Sequence, residues 1–533
     1  MESAILEMLQ WKWPVVVGLA ICIFALSTSK RRLPVPPGPT GLPVVGNLLQ
    51  IPQAVPWIVY NDWAKRYGQY TPQYLHLVLG QTVFTGDIMY VNALGQGIVV
   101  LNSLSAARAV METRALNNSD RGSLPSFDIM DFNWALGVMQ YGPNWRAHRR
   151  AFHQFLNQNQ VAKYLPVIEQ ECLVYLRNLA NSSNTLFKHS RTYMGTVIMR
   201  VAYGVSDTEN IMRLIDDAEG IVERFSVTSV PGNLLVNVFP ILRHVPDWFP
   251  GTAWKKYLKE GAVINKRLVP QPYYQAKDRL RDGLSAEKFP SMIQGLIGRL
   301  GSETDTEYGE GERVAMNVCA QSYLAGVETS YSATIAFFAA LVMHPEAQRK
   351  AQAEIDAVTG GNRLPTAEDM ADLPYIDAII KETTRWFTAV PLGVPHQSRE
   401  EQKFNGYFIP KKTLIMANSW AILHDPDVFE DPFDFIPERY LKDGKIDPSV
   451  LDPEVAAFGF GRRICPGRHL SSVILKFTLA SVLAVCDVRL AKDEHGKEIP
   501  VTFGQDTFGL VTSFKPFTCD IVPRSTKHAT WLA

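Results

Sequence analysis

The densest chemistry in the chain lies in one short run: Phe458-Gly-Phe-Gly461-Arg462-Arg463-Ile-Cys465-Pro-Gly467-Arg468-His469. A cysteine just before a predicted helix meets the positive end of the helix dipole, which lowers a thiol pKa, and neighbouring arginines act in the same direction. By type and spacing alone such a cysteine is a nucleophile, a metal ligand or a buried small hydrophobe. A nucleophile needs a base, and His469, four residues on, is the only one nearby. Gly461 and Gly467 permit tight backbone approach and positive φ, as a turn beneath a flat ligand needs. Turn, glycines and arginines together fit an axial haem thiolate better than a cysteine–histidine pair.

Four more segments precede this run: Trp145-x-x-x-Arg149, Ala325-Gly326-Val327-Glu328-Thr329, Glu382-Thr-Thr-Arg385 and Pro437-Glu438-Arg439-Tyr440. Phe458, Gly461, Arg463, Cys465 and Gly467 meet the pattern Phe-x-x-Gly-x-Arg-x-Cys-x-Gly. With these five motifs in order, the chain strongly resembles the cytochrome P-450 family over nearly its whole globular body. Each motif alone is weak, and their order makes them specific.

The resemblance implies a mainly α fold with small β-sheets (α+β), in which a long central helix crosses a haem b. It makes Cys465 the axial metal ligand, with Phe458 shielding the sulfur and Gly461 and Gly467 bringing the loop to the iron. Trp145, Arg149 and Arg463 are placed to bind the haem propionates, and His396, nine residues before Asn405-Gly406, stands where the family puts another propionate-binding Arg or His. Ala325 and Gly326 leave room for dioxygen. Glu328 and Thr329 are the acid–alcohol pair that relays protons, with glutamate where the family more often has aspartate. Glu382, Arg385 and Arg439 form a structural ion-pair network. Tyr323, Ala325, residues 389–392 and residues 123–132 are expected to line the substrate pocket, and Cys319 to pack as a small hydrophobe.

The implied activity is NADPH-dependent monooxygenation, one oxygen atom entering an apolar molecule and the other leaving as water. Electrons come from a separate NADPH–cytochrome reductase, or a cytochrome b-type donor, on the basic face near Arg462 and Arg468. A terpenoid or sterol-like precursor of secondary metabolism is the expected substrate. A xenobiotic or fatty-acid oxidase and a non-oxidative rearrangement enzyme are the alternatives on the same fold.

The elements that must position these residues follow from composition and pattern. The 533 residues carry 53 Lys+Arg against 53 Asp+Glu and are 46% hydrophobic, which excludes a disordered chain and argues against a nucleic-acid partner. Six scattered cysteines without a CxxC exclude a disulfide framework and a zinc ribbon. Residues 13–29 lack charge and precede Lys30-Arg31-Arg32, so residues 1–32 read as a single-pass transmembrane anchor in the endoplasmic reticulum with a cytosolic body. That topology hides the sequons at Asn117 and Asn181 from luminal glycosylation. Residues 33–44 are a proline-rich hinge, and 45–533 form one catalytic domain. Strands are expected across 88–102 and helices over 105–116, 142–157, 161–180, 187–204, 208–226 and 312–342. Residues 230–251 form a Pro/Gly-rich loop whose aromatic residues suit either a membrane interface or packing on the protein's own core. Residues 69–85 separate Tyr67-Gly68 from the first strand where the family runs on directly. Seventeen codons make 51 nucleotides, the size of a short in-frame intron retained in the message; a genuine extra hairpin or membrane-contacting loop is the structural alternative.

Overall fold

The computed structural model describes residues 34–68, 86–181, 185–205, 208–230, 232–283, 289–302, 304–508 and 510–532. The anchor expected within 1–32 and the insertion expected at 69–85 lie outside them. The proline-rich segment runs extended, as proline density demands. It is pinned to the body, with Phe408 N–H donating to Pro34 O at 2.8 Å and Tyr90 N–H to Pro37 O at 2.9 Å.

Helix α1 (Pro56–Gly68) precedes the hairpin of β1 (Ile88–Ala93) and β2 (Gln96–Leu101). The hairpin turns on Leu94 and Gly95, both at positive φ, the geometry that matches strand twist. The helix expected over 105–116 is broken: α-turns at Leu104–Ala107 and Ala115–Asn118 flank a π-helical stretch, Arg108–Thr113. Such wider turns recur at functional sites, and this one sets the Met111 carbonyl against Gly461. Asn117, in the last of these turns, accepts from Glu400 N–H at 2.8 Å and donates to Glu400 O at 3.1 Å, so its amide is already engaged.

Helices α2 (Pro143–Leu156), α3 (Leu165–Asn181), α4 (Leu186–Tyr203) and α5 (Thr208–Ser229) follow close to expectation. Pro143 starts α2, and Gly204 at φ 67° ends α4 in the left-handed conformation that glycine alone takes without strain. The loop over 230–251 contains two short 3-10 turns, Leu235–Asn237 and Pro240–His244. Periodicity did not reveal the next two helices, α6 (Ala253–Leu268) and α7 (Pro270–Arg281).

The central helix α8 (Tyr308–Met343) has 36 residues, about 54 Å at 1.5 Å per residue. It is buried on all sides over most of its C-terminal half, which explains a composition without a polar stripe. Helix α9 (Pro345–Thr359) starts at the proline that ends α8, and α10 (Pro374–Trp386) carries Glu382 and Arg385. Strands β3 (His396–Gln397) and β4 (Leu414–Ala417) complete a four-stranded sheet in the order β1-β2-β4-β3, with β2 and β4 parallel. Its register sets His396 opposite Ile415. Helix α11 (Arg468–Val485) leaves the cysteine loop, and its C-terminal end runs into β5 (Cys486–Leu490). Strands β6 (Gln505–Phe508) and β7 (Val511–Phe514) pair as a hairpin, and β8 (Cys519–Pro523) pairs with β5. Helices α8 and α11 are apolar and long enough to cross a membrane, yet both lie largely inside the body.

Candidate active site

Cys465 sits between the 3-10 turn Gly461–Arg463 and the first turn of α11, on the wall of a cavity of about 410 Å³. Its N–H donates to Phe458 O at 2.8 Å, closing the loop. Gly461 has φ 57° and a side chain there would collide with Met111 O, so both conformation and space demand glycine. Gly467 differs from expectation: its φ is −89° and a Cβ would meet Cys465 Sγ at an ordinary 3.9 Å. Gly459, at φ 78°, is the second left-handed residue of the loop. The thiol also departs from the expected direction. Burial pushes it up, and this outweighs the Gly467 and Arg468 N–H groups and the Arg149 and Arg468 guanidiniums that pull it down. His469 Nε2 accepts from Arg468 Nε at 3.2 Å, so the histidine is paired with the arginine and not with Cys465.

One end of the cavity is strongly cationic. Arg149 donates to Ile464 O at 2.6 Å, and Arg121 donates to Val394 O at 2.5 Å and Pro395 O at 2.8 Å. Arg463 gives its fork to Ser119 O at 2.8 Å, Met139 O at 2.7 Å and Leu136 O at 3.3 Å, and lies 4.6 Å over the Trp145 ring. Burial lowers all three guanidiniums, Arg463 to about 10. Asp120, the acid that acts on Arg121 and Arg463, is committed to Arg399 at 2.9 Å and to Tyr141 N–H at 2.8 Å. Trp145 Nε1 and Arg121 Nε are buried with no partner among the described residues. Buried and half-buried cations with orphaned donors at one spot fit a ligand that brings its own carboxylates. His396 is held well below its usual pKa, by burial first and then by Arg121, and its Nδ1–H donates to Asn118 O at 2.7 Å. Its Nε2 is therefore an acceptor, and the ring would bind a carboxylate there only after taking up a proton.

Across the cavity stand Ala325, Gly326, Glu328 and Thr329 of α8. Thr329 Oγ1 donates to Ala325 O at 2.8 Å, leaving its lone pairs toward the cavity. Glu328 Oε2 meets Arg191 of α4 at 3.2 Å, Arg191 meets Glu219 of α5 at 3.0 Å, and Glu219 is 47% exposed. This chain leads from solvent to the interior. Burial raises the Glu328 carboxyl, Arg191 opposes it, and Glu328 Oε1 is buried with no partner among the described residues. The missing side chain of Gly326 faces Ile198 of α4 at 3.3 Å, so this glycine also serves close helix packing.

Residues 36–517 match the family description Cytochrome P450. The chain belongs to the cytochrome P450 family. It is 45% identical to the cytochrome P450 monooxygenase COX1 of Coprinopsis cinerea over 95% of this chain and 94% of that one. It is 37% identical to COX2 of the same fungus, covering 96% and 94%. It is 34% identical to the tryptamine 4-monooxygenase of Psilocybe cyanescens, covering 96% and 97%. This P450 is thus an oxidoreductase of a monooxygenase family, and membership implies a haem-thiolate iron. The residues present fit that group, with a thiol, a glycine turn, a cationic end and orphaned donors around one cavity.

The Glu382–Arg385 pair of the P450 is fully buried, with Nε–Oε2 and Nη2–Oε1 both at 2.8 Å, and Arg439 reaches Oε1 at 3.2 Å. It is no surface salt bridge. Ala389, Val390 and Leu392 line the cavity as expected, but Tyr323 does not. It is wholly buried on another face of α8, its hydroxyl bonded to Leu214 O. Of residues 123–132 only Phe132 lines the cavity, and Ala135–Val138 take the place of the rest. The reason is local. Ser126 N–H is tied to Asn237 Oδ1 at 3.1 Å and Asp128 to Arg243 at 2.8 Å, so this stretch faces the loop over 230–251. Sequence reasoning missed Arg121 and Arg191. An Asp-Arg pair between two helical patterns was the available signal for Arg121, and Arg191 had none.

Proposed function

We propose that this P450 is an NADPH-dependent haem-thiolate monooxygenase acting on an apolar small molecule, a terpenoid or sterol-like precursor in secondary metabolism. Overall, a C–H bond and dioxygen, with two electrons and two protons, become an alcohol and water. Haem b, when bound, supplies the oxygen chemistry and one-electron steps that side chains lack. Cys465 Sγ would be its metal ligand, Phe458 would shield the sulfur, and Gly461 and Gly467 would line the loop beside it. Trp145, Arg121 and Arg149 would hold the carboxylates, with Arg463 completing the cationic end and His396 joining it only once protonated. Glu328 Oε1 holds a proton, which its raised pKa favours, and Thr329 Oγ1 passes it on. Ala325 and Gly326 keep that wall of the cavity narrow and apolar, which excludes water.

The observation that carries this reading is one cavity joining a thiol, three guanidiniums (Arg121 buried, Arg149 and Arg463 half-buried) and the unpartnered Trp145 Nε1. Carbon monoxide on the reduced protein tests it: a thiolate-type Soret band is expected, and Cys465→Ser should lose both the band and NADPH-driven oxidation. An unchanged spectrum in that variant sinks the assignment.

Electrons are taken to come from a separate NADPH–cytochrome reductase or a cytochrome b-type donor, docked on the Arg462 and Arg468 face through opposite charge. We place the body on the cytosolic face of the endoplasmic reticulum, held by the anchor in residues 1–32. Exposed apolar side chains support contact with the bilayer: Leu49 is 77%, Ile241 72% and Trp248 80% exposed. The two patches adjoin, since a side chain at Gly232 would collide with Leu48. We also read residues 69–85 as a retained intron. In support, a Cβ on Gly86 would stand 3.8 Å from Ala64 O of α1, so the chain returns close to where it left.

A further inference from the structure

Away from the cationic end, four buried polar atoms of cavity-lining residues have no partner among the described residues: Glu328 Oε1, Thr383 Oγ1 on α10, and two that face each other's elements across α5 and α8. Gln321 Oε1 on α8 and Ser226 Oγ on α5 are buried, belong to cavity-lining residues, and have no hydrogen-bond partner among the described residues. Their surroundings are apolar: Val222, Phe225, Leu324 and Val511 line the same cavity. Neighbouring hydroxyls behave differently. Ser322 Oγ donates to Val318 O at 2.8 Å and Thr228 Oγ1 to Arg224 O at 2.8 Å, the usual way a helix satisfies a hydroxyl. A buried polar group without a partner costs about 1–3 kcal/mol, so an orphan in a ligand cavity marks where a ligand supplies one.

Position and chemistry narrow that ligand group. Gln321 lies four residues before Ala325 and eight before Thr329 on one helix, about 6 Å and 12 Å along its axis. The group it meets is therefore remote from the oxygen site. Gln321 Oε1 only accepts, whereas Ser226 Oγ–H also needs an acceptor. An alcohol satisfies both at once, an N–H satisfies only the glutamine, and a hydrocarbon satisfies neither.

We propose that Gln321 and Ser226 bind a substrate hydroxyl, which donates to Gln321 Oε1 and accepts from Ser226 Oγ. The inference rests on the monooxygenase reading and adds the substrate class: an apolar skeleton that already carries one alcohol, which this enzyme oxidises about two helical turns away. The reaction that supplies it is one that installs an alcohol, either an earlier hydroxylation or a cyclisation terminated by water.

The full-length holoenzyme in phospholipid nanodiscs is titrated by its haem spin-state shift with two matched pairs, cedrol against cedrane and 1-dodecanol against dodecane, and with 3-hexylindole as the N–H probe. At least one alcohol is expected to bind about tenfold tighter than its hydrocarbon, as one to two neutral hydrogen bonds supply. Gln321→Met, close in volume, and Ser226→Ala should each bring that alcohol down toward its hydrocarbon without weakening the hydrocarbon. Equal binding within both pairs, no shift with either alcohol, an indole preferred to both alcohols, or a preference that survives both substitutions overturns the proposal. The carbon monoxide band of the same preparations separates the two readings. Without the band the haem-thiolate assignment fails, and with the band but no alcohol preference only the alcohol site fails.

Discussion

Replacing Arg385 by methionine removes the guanidinium and keeps most of its volume, so the outcome reports on charge and hydrogen bonds rather than on a cavity. Both members of the pair are 0% exposed. In the variant Glu382 Oε1 keeps Ile436 N–H at 2.8 Å and Arg439 Nε at 3.2 Å, while the bond from Arg385 Nε to Oε2 is gone. The Arg385 bonds to Leu423 O at 3.1 Å, Pro432 O at 2.5 Å and Asp434 O at 2.8 Å vanish as well. Breaking a buried pair on one side costs about 3–5 kcal/mol, against a total stability of about 5–15 kcal/mol. Because Arg439 still faces the carboxylate, the lower half of that range applies to Arg385→Met. Adding Glu382→Leu removes the stranded charge, so the double variant should fall short of the summed single losses by about 0.5–3 kcal/mol. Urea unfolding followed by both far-UV circular dichroism and the haem band measures this. A loss under about 1 kcal/mol, the range of exposed ion pairs, or strict additivity would refute the reasoning.

Three further perturbations test other parts of the molecule. Gly461→Ala must hold φ 57° against Met111 O, so it should cost about 1–2 kcal/mol in backbone strain alone and retain less haem on purification; wild-type haem content would contradict the close approach. Glu328→Gln removes the buried carboxyl that faces Arg191. Its pKa is raised in the fold, so the proton it supplies is present at low pH and is lost as pH rises through that value. The wild-type rate should decline on that alkaline side, while Glu328→Gln should be slow and flat with more NADPH diverted to free hydrogen peroxide; parallel pH profiles would remove the role. Deleting residues 69–85 should leave a folded protein with the thiolate carbon monoxide band, since the flanks adjoin at Ala64 and Gly86; a dominant transcript that encodes all seventeen residues would end the retained-intron reading.

Sequence by itself determined what depends on local order. Proline and glycine set where helices start and stop, the run of apolar residues before His344-Pro345 required a buried central helix, and five motifs in order identified the family. These are properties of residue type and spacing, and burial does not alter them. Tertiary structure alone decided which side chains share a space. Arg121 and Cys465 lie 344 positions apart in the chain, and only folding sets both on one cavity wall. Periodicity could not say that Tyr323 turns away while Gln321 lines the cavity, because both lie on a helix that is buried all round and carries no polar stripe to orient it. It could not give the direction of the Cys465 shift either, since dipole and arginines are local terms but desolvation is the sum over every atom packed around the sulfur. Charge, hydrogen bonding and solvent exclusion act over distances in space, and those distances exist only once the chain has closed on itself.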